Sequence, residues 1–415
     1  MGKSLEVNVI GLGYIGLPTA AILARSGHSV VGVDINQELI RTINQGQFSN
    51  LEPGLDDVLD EAVAKGLLEA SYIARNADVH IICVPTPLCK DKIKPTPDLS
   101  YVFEAAKSLA PYLKRDDLLI IESTISVGTT EKVSTILESI GIDINIIHIA
   151  HCPERVIPGN IMEELVHNDR IVGGLTDIAT DRAVEFYKTF VTGNVIKTNA
   201  STAELCKLSE NSFRDINIAF ANELSMICDR ENINVWELIE LANRHPRVNI
   251  LQPGVGVGGH CIAVDPWFIV AENEDDTEII QAARHVNLSK TDWVVKKIHS
   301  LMETKGQGDT TQFRIGCLGI TFKPDVNDIR ESPALEVVKK LVASGNNVMV
   351  VDPNVSEDIT FELFNLETVL RDADILVILV KHKEFIELRD SFPTISKTVL
   401  DFCGALNKDK KEYSC

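Results

Sequence analysis

The sequence predicts an α/β protein in which two domains with parallel sheets are joined by a central helical domain that contains one long helix. A pattern of strand, glycine-containing loop, helix and strand occurs near the start of the chain and again near its end. About a hundred residues between the two copies show helical periodicity instead. The 415 residues exceed the roughly 250–300 that one hydrophobic core supports, so we expect domains at 1–200, 201–305 and 306–415.

The first copy of the pattern has the features of a dinucleotide-binding loop. Residues 7–10 form a short apolar strand, residues 11–16 read GLGYIG, and a helix and a second strand follow at 17–26 and 29–33. The glycines allow a tight turn and a close backbone approach to a pyrophosphate at the helix N-terminus. Asp34 ends the second strand, where a carboxylate binds ribose hydroxyls and favours NAD over NADP. The expected cofactor-binding residues of the loop are Gly11, Gly13, Tyr14, Ile15 and Gly16.

Two threonines follow later strands of the same domain. Apolar strands are predicted at 79–84 and 118–122, and Thr86 and Thr124 come directly after them. Ligands of open α/β sheets bind beyond the carboxyl ends of the strands, so we expect both threonines to line a nicotinamide pocket. Threonine at such a position is also a common helix cap, and this interpretation stays open.

The second copy of the pattern predicts strands at 314–318 and 347–351 and a helix at 332–344. The segment ADVHIICV at 77–84 also has a counterpart, ADILVILV, at 373–380. We therefore predict two Rossmann-like domains related by a pseudo-repeat. The second loop lacks the third glycine and carries Lys323, which favours a phosphate ligand other than a second dinucleotide.

The central segment predicts two long helices, from Thr202 to about Asp229 and from Thr277 to Met302. Such helices commonly pair across a dimer axis, so we expect a homodimer or a larger homo-oligomer. Lys207, Asn211 and Arg214 lie at positions i, i+4 and i+7 of the first helix and form one polar stripe. Such a stripe is usually a solvated face, but a helix placed between two domains favours a functional stripe.

The segment GVGVGGHCIAVDP at 254–266 is the most informative in the chain. Its four glycines indicate a backbone that approaches a ligand closely. If a helix starts here, its dipole lowers the pKa of the Cys261 thiol, and Asp265 lies one turn further on the same face. A nucleophile, a nearby acid and a dinucleotide domain together indicate an enzyme with a covalent step.

Composition excludes several other classes of function. The net charge of -20 opposes sequence-independent binding to nucleic acid or anionic lipid. The apolar runs are too short to span a bilayer, and no secretory leader is evident, so we expect a cytoplasmic protein without a membrane partner. Nine cysteines without a CxxC pair indicate reduced thiols, with neither a disulfide framework nor a metal site.

Five segments together resemble a known family. They are VIGLGYIGLP, ESTISVGTT, AELCKLSENSFRDINIAFANEL, GVGVGGHCIAVDP and GITFKPDVNDIRESPA, and they resemble the signature blocks of the UDP-glucose/GDP-mannose dehydrogenases in the same order. The resemblance extends from about residue 7 to 402. Within the family, NRHPRVNILQPG and CPERVIPG resemble members that act on UDP-N-acetyl-D-mannosamine, which implies that substrate.

The resemblance implies a four-electron oxidation of a UDP-sugar at C6, with NAD as the hydride acceptor and a cysteine-bound intermediate. It implies catalytic roles for Cys261, Lys207, Asn211, Asp265 and Glu154. Arg330 would reach the NAD pyrophosphate. Besides Lys207 and Asn211, the residues that would hold the substrate are Arg155, Val156, Arg214, His245, Arg247, Gly258 and Lys323, of which Arg247 could serve its own or a neighbouring subunit's site.

One position departs from the family pattern, and several alternative substrates and functions stay open. Cys403 stands where the family usually carries a basic residue, so Lys408, Lys410 or Lys411 would have to replace it, or the contact is absent. UDP-N-acetylglucosamine or UDP-glucose could be the substrate of the same chemistry. A two-electron hydroxyacid or polyol dehydrogenase that shares the first domain is another alternative. A non-enzymatic NAD-binding redox regulator is a third, although it leaves the GGHC segment and the Lys207 stripe unexplained.

Overall fold

The computed structural model describes residues 4–46, 52–89, 94–157, 159–306, 313–355, 361–392 and 397–407. The chain divides into two compact units. Unit 1 comprises Met1–Glu210 and Trp267–Glu274, and unit 2 comprises Asn211–Pro266 and Asp275–Cys415. The three domain boundaries expected from the sequence stay a prediction.

Unit 1 is built on an eight-stranded sheet of order β10-β9-β8-β7-β4-β1-β2-β3. All neighbouring strands are parallel except β8 and β9, so the expected parallel sheet contains one antiparallel junction. A two-stranded antiparallel sheet, β5 with β6, lies outside it. The strands are β1 (Glu6–Ile10), β2 (Ser29–Val33), β3 (Leu68–Ser71), β4 (Val79–Ile82), β5 (Leu88–Cys89), β6 (Thr96–Pro97), β7 (Leu118–Ile121), β8 (His148–His151), β9 (Arg170–Gly174) and β10 (Val195–Asn199).

Helices cover both faces of this sheet, which explains why every residue of its central strands β4 and β7 is buried. One core contains side chains of α1, α3, α6 and α7, and the core on the opposite face contains those of α4 and α5. The helices are α1 (Gly16–Arg25), α2 (Gln37–Asn44), α3 (Leu55–Ala64), α4 (Ser100–Leu109), α5 (Thr129–Ser139), α6 (Ile161–His167) and α7 (Asp177–Tyr187). The next helix, α8 (Ala200–Glu231), contributes residues to both units.

Unit 2 contains a four-stranded parallel sheet of order β12-β11-β13-β14. Its strands are β11 (Arg314–Leu318), β12 (Asn347–Val351), β13 (Ile375–Ile378) and β14 (Thr398–Asp401). The remaining helices are α9 (Val235–Ala242), α10 (Asp265–Glu272), α11 (Glu278–Gly306), α12 (Pro333–Ala343), α13 (Leu366–Asp372) and α14 (Lys383–Glu387), of which α10 crosses from unit 2 to unit 1. The predicted fold class is confirmed. Among the described helices, none is both long and apolar enough to cross a membrane.

Candidate active site

The glycine loop of unit 1 connects β1 to the N-terminus of α1. Gly11 adopts a φ of 91° and donates its N–H to the carbonyl of Val33 at 2.7 Å. A Cβ at Gly16 would lie 1.8 Å from the carbonyl oxygen of Gly11, whereas a Cβ at Gly13 would meet nothing within 4 Å. No described side chain caps α1. The first backbone N–H groups of α1 are therefore suited to an anionic ligand, and open space lies beside Gly13.

Asp34 lies at the carboxyl end of β2, as predicted. Its Oδ2 accepts the N–H of Leu12 at 2.8 Å and its Oδ1 accepts the N–H of Asn36 at 2.8 Å. The half-buried carboxylate is thereby oriented, and each oxygen keeps a lone pair for a hydroxyl. Together with the uncapped helix, this geometry fits the ribose and pyrophosphate of NAD.

Thr86 and Thr124 follow β4 and β7, which are adjacent in the sheet. Both threonines are half-buried at the same sheet edge. Glu204 of α8 fixes the segment after Thr124, because its carboxylate accepts the N–H of Gly128 at 2.7 Å and that of Thr130 at 2.8 Å. The sequence analysis did not identify Glu204, since a helix cap supplied from 74 residues away leaves no local signal.

Glu154, Arg155 and Val156 follow β8. Glu154 is buried, forms an ion pair with Arg170, and accepts the N–H of Arg155 at 2.6 Å. Burial alone would lower the pKa of Arg170, but the charge of Glu154 raises it above the usual value. The Arg155 guanidinium lies 2.7 Å from Glu210, so it already has an anionic partner within unit 1.

The predicted polar stripe lies on α8 and crosses the division between the units. Lys207 is half-buried in unit 1, while half-buried Asn211 and exposed Arg214 belong to unit 2. Asn211 Nδ2 donates to Asp265 Oδ2 at 2.6 Å. Two of the predicted catalytic residues are therefore in direct contact.

Cys261 does not lie within a helix. Residues 259–264 form a turn, and α10 begins only at Asp265. The backbone N–H groups of Val264 and Asp265 donate to the carbonyl of Cys261 at 3.0 and 2.8 Å. Cys261 therefore lies one turn before the buried carboxyl group of Asp265, as the spacing predicts, but the expected helix start at Cys261 is wrong because α10 begins at Asp265.

At three of the four glycines before Cys261, an added Cβ would lie too close to neighbouring protein atoms. A Cβ at Gly256 would lie 2.9 Å from the carbonyl oxygen of Asn287, and one at Gly258 would lie 2.4 Å from that of Glu331. A Cβ at Gly259 would lie 2.8 Å from the ring of Phe322. These glycines permit close packing within unit 2, and only Gly254 has open space beside it.

The remaining predicted substrate residues of unit 2 differ in exposure. His245 and Arg247 are exposed in the turn after α9, and Lys323 is half-buried. Arg330 is exposed, and its guanidinium hydrogen bonds to Asp328 at 2.6 Å. Arg330 and Asp328 thus form an ion pair within one loop.

Cys403 lies in a loop organised by Asp401. The Asp401 carboxylate accepts the N–H groups of four consecutive residues, Cys403 to Leu406, at 2.8 to 3.2 Å. Burial raises the pKa of the Cys403 thiol, and the Asp401 carboxylate raises it further. Cys403 is therefore a neutral packing residue. Lys408, Lys410 and Lys411, which could supply the missing cation, lie outside the described residues.

Comparisons with known proteins match nearly the whole chain. Three models of the UDP-glucose/GDP-mannose dehydrogenase family match: the NAD binding domain at residues 5–191, the central domain at 201–289 and the UDP binding domain at 316–408. The first match confirms NAD as the expected cofactor.

Among similar proteins, a UDP-N-acetyl-D-mannosamine dehydrogenase from Campylobacter jejuni is 49% identical over 97% of this chain and 100% of its own length. An NDP-N-acetyl-D-galactosaminuronic acid dehydrogenase from Ralstonia nicotianae is 48% identical over 96% of this chain and 95% of its own. The solved structure of a UDP-D-ManNAc dehydrogenase from Pyrococcus horikoshii is 39% identical, with a TM-score of 0.87 over 98% of this chain and 97% of its own. The chain therefore belongs to the UDP-glucose/GDP-mannose dehydrogenase family.

Proposed function

We propose that this protein oxidises the C6 alcohol of UDP-N-acetyl-D-mannosamine to the carboxylate, with NAD as oxidant. The observation that carries the proposal is the placement of Cys261 one turn before Asp265, whose carboxyl group is bound by Asn211 at 2.6 Å. A thiol one turn from an oriented acid suits the covalent capture of an aldehyde, because the acid can accept and return protons. The Campylobacter jejuni and Pyrococcus horikoshii relatives support the choice of sugar.

The chemistry balances as two oxidations and a hydrolysis. NAD supplies the hydride acceptor in both oxidations. Loss of a hydride and a proton from the alcohol gives an aldehyde, and the Cys261 sulfur adds to it to form a thiohemiacetal. Loss of a second hydride and proton gives a thioester at Cys261, and water then releases the carboxylate and the free thiol. One sugar, two NAD and one water thus yield one carboxylate, two NADH and three protons.

The proposed catalytic residues have distinct tasks. Lys207 stabilises negative charge on the oxygen of the reacting carbon, and Asn211 assists through its amide. Asp265 accepts and returns protons during hydrolysis, in an orientation fixed by Asn211. Glu154 is proposed to handle the hydrolytic water, with its carboxylate held by Arg170 and the N–H of Arg155.

The proposed substrate contacts are mainly cationic, because a UDP-sugar carries a pyrophosphate. Arg214, His245, Arg247 and Lys323 contribute side chains, and Val156 and Gly258 contribute backbone groups. Arg155 and Arg330 are paired with Glu210 and Asp328. These pairs are partly exposed and therefore weak, so a phosphate can replace the carboxylate partner, Arg155 towards the substrate and Arg330 towards NAD.

A homodimer is part of the proposal. On α8, the exposed apolar side chains of Phe213, Phe220 and Ile227 repeat every seven residues. Exposed fractions of 69%, 52% and 40% make this stripe costly to leave in water. We infer that it pairs with the same stripe of a second copy, which sedimentation equilibrium of the parent and of Phe220→Glu would test. We also propose that the product is a precursor for polysaccharide synthesis, and the cytoplasmic location stays a prediction.

A second candidate substrate is the galactosamine-type sugar nucleotide, because the Ralstonia nicotianae relative is almost equally similar. UDP-N-acetylglucosamine and UDP-glucose also remain. Each would undergo the same reaction, since the cysteine chemistry concerns C6 and the sugars differ at other carbons. A panel of these nucleotide sugars at equal concentration will rank them by kcat/KM.

The mechanism is tested by counting NADH against limiting UDP-N-acetyl-D-mannosamine. We expect about two NADH per sugar and a carboxylate product, because covalent capture retains the aldehyde for the second oxidation. Cys261→Ser should lose most carboxylate formation and retain some first-step chemistry. A yield of one NADH with free aldehyde, or full turnover of the serine variant, would contradict the proposal and favour a two-electron dehydrogenase. NAD binding without turnover of any nucleotide sugar would favour a redox regulator.

A further inference from the structure

The backbone between α9 and Cys261 has no regular structure, so hydrogen bonds within the segment and from other elements determine its course. At its start, Asn243 Oδ1 accepts the N–H of Ile250 at 2.7 Å. In its middle, Asn222 Oδ1 accepts the N–H of Gly254 at 2.9 Å. Towards its end, the N–H of Gly259 donates to a main-chain carbonyl at 3.2 Å. Asn222 is therefore the side chain that fixes the centre of the loop that carries Cys261.

Asn222 is held in turn by a buried polar chain between α8 and α11. Its Nδ2 donates to Asn287 Oδ1 at 2.9 Å, and Asn287 Nδ2 donates to Asp215 Oδ1 at 2.8 Å. Arg284 Nη1 donates to the same Asp215 oxygen at 2.7 Å. All four side chains are at most 2% exposed, so water does not compete for these bonds.

The orientation of each amide group in this polar chain of side chains follows from the ion pair at its start. Burial raises the pKa of Asp215, and the charge of Arg284 opposes that rise. Arg284 Nη1 and Asn287 Nδ2 both donate to Asp215 Oδ1, so this oxygen is an acceptor. Asn287 must therefore present its NH₂ group to Asp215 and its carbonyl oxygen to Asn222. Asn222 must then present its NH₂ group to Asn287, which leaves its carbonyl oxygen for Gly254. The ion pair thus determines that the N–H of Gly254 faces the carbonyl oxygen of Asn222 and not its NH₂ group.

The loop has little capacity to absorb a displacement at Gly254. Beyond this point, Gly256, Gly258 and Gly259 pack so closely against protein that a Cβ at any of them would lie within 3.0 Å of another atom. Cys261 follows two residues later. A change in the anchor at Gly254 therefore passes along the packed backbone to the thiol.

We propose that Asn222 and Asn287 are positioning residues that relay the orientation of the buried Asp215–Arg284 pair to the loop that carries Cys261. The proposal rests on the function proposed above, because it assigns these residues to the placement of the reactive thiol. The alternative is that the polar chain only joins α8 to α11. This alternative predicts a loss of stability without a specific change at Cys261.

The test is Asn222→Ala in the full-length enzyme with saturating NAD. We expect kcat to fall at least tenfold, while the KM for NAD stays within twofold. The rate at which iodoacetamide alkylates Cys261, followed by mass spectrometry of its peptide, should change at least threefold. Both assays are run well below the thermal midpoint of the variant. Asn222→Ser, a smaller perturbation that keeps a hydrogen-bonding group, replaces it if the alanine variant does not fold.

Asn346→Ala is the control for the loss of an asparagine that joins two elements. Asn346 also joins two elements of unit 2, through hydrogen bonds to Leu341 O at 2.9 Å and His299 Nε2 at 3.0 Å. Because Asn346 is half-buried and Asn222 is buried, we expect a smaller loss of stability, with kcat and Cys261 alkylation within twofold of the parent. If Asn222→Ala matches this control in both assays, the proposal is wrong. The alkylation rate reports the environment of the Cys261 thiol whether or not this thiol is catalytic. Full turnover by Cys261→Ser would overturn the proposed function and not the positioning proposal.

Discussion

The loop after β1 and the loop after β11 begin with almost the same backbone. Gly11 and Gly319 adopt φ values of 91° and 90°, and each donates its N–H to the last residue of the neighbouring strand, at 2.7 and 2.8 Å. The next residue of each loop donates its N–H to an acid at the end of that strand, Asp34 at 2.8 Å and Asp352 at 2.7 Å. The predicted pseudo-repeat therefore extends to individual hydrogen bonds.

The two loops differ in which polar groups they leave available. The helix after the first loop has no described side-chain cap, whereas Ser332 caps α12 by accepting the N–H of Leu335 at 3.2 Å. Asp34 is half-buried, whereas Asp352 is buried and lies 3.2 Å from His382 Nε2. One backbone template can thus serve a dinucleotide in unit 1, while the same positions in unit 2 are satisfied internally. The matches to an NAD binding domain and a UDP binding domain agree with this difference.

The largest expected effect is that of Gly16→Ala. Because the new Cβ would lie 1.8 Å from the Gly11 carbonyl oxygen, the loop must move. We expect NAD affinity to fall at least 100-fold, about 2.8 kcal/mol, in isothermal titration calorimetry, together with a lower thermal midpoint. Gly13→Ala meets no protein atom within 4 Å, so it should weaken NAD binding without a loss of stability. Unchanged NAD affinity in the Gly13 variant would show that the cofactor does not pass this glycine.

Local sequence patterns predict the strands and helices that flank the two loops well. Strands β2, β11 and β12 have the predicted bounds, and α1 differs by one residue at each end. The ion pairs of Glu154 with Arg170 and of Arg155 with Glu210 could not be predicted, because they join residues 16 and 55 positions apart. The glycine pattern before Cys261 predicts a close approach to a ligand, yet three of these glycines are required by packing against Phe322, Glu331 and α11. A glycine predicts that another group lies close to the backbone, but it does not predict whether that group belongs to a ligand or to the protein.

Asp352→Asn should have the next largest effect, on stability. Burial alone would raise the pKa of Asp352, but hydrogen bonds from His382 and from the N–H groups of Ile320 and Asn354 hold it below its usual value. A depressed pKa stabilises the fold above the unfolded-state pKa, and this contribution is lost as pH falls through the folded-state pKa. We expect a loss of about 1–3 kcal/mol in urea unfolding at pH 7, because buried N–H donors lose a charged acceptor.

The difference between the parent and Asp352→Asn should shrink as pH falls below about 4. NAD affinity should stay within twofold of the parent, since Asp352 is satisfied within unit 2. A difference in stability that does not vary with pH would contradict the account of the Asp352 pKa.

Asp34→Asn should change cofactor choice and lower stability slightly, because the N–H groups of Leu12 and Asn36 lose a charged acceptor. The Asp34 carboxylate accepts hydroxyls and repels a 2′-phosphate, and asparagine removes the repulsion. We expect the preference for NAD over NADP to fall about tenfold, about 1.4 kcal/mol, in the ratio of kcat/KM values. Asp352→Asn is the control, with an unchanged ratio. An unchanged ratio in the Asp34 variant would assign cofactor choice to another residue.

The smallest expected effect is that of Ser332→Ala, which removes the cap that distinguishes α12 from α1. Pro333 begins this helix without an N–H group, so fewer donors need a partner, and we expect a loss of about 1 kcal/mol in urea unfolding. Thr176→Ala is a matched control, because Thr176 caps α7 of unit 1 by accepting the N–H of Ala179 at 3.1 Å. Both variants should lose similar stability, and both should bind NAD within twofold of the parent. If Ser332→Ala instead changes NAD affinity, the N-terminus of α12 is not closed to the cofactor, and the contrast between the two loops must lie in Asp34 and Asp352 alone.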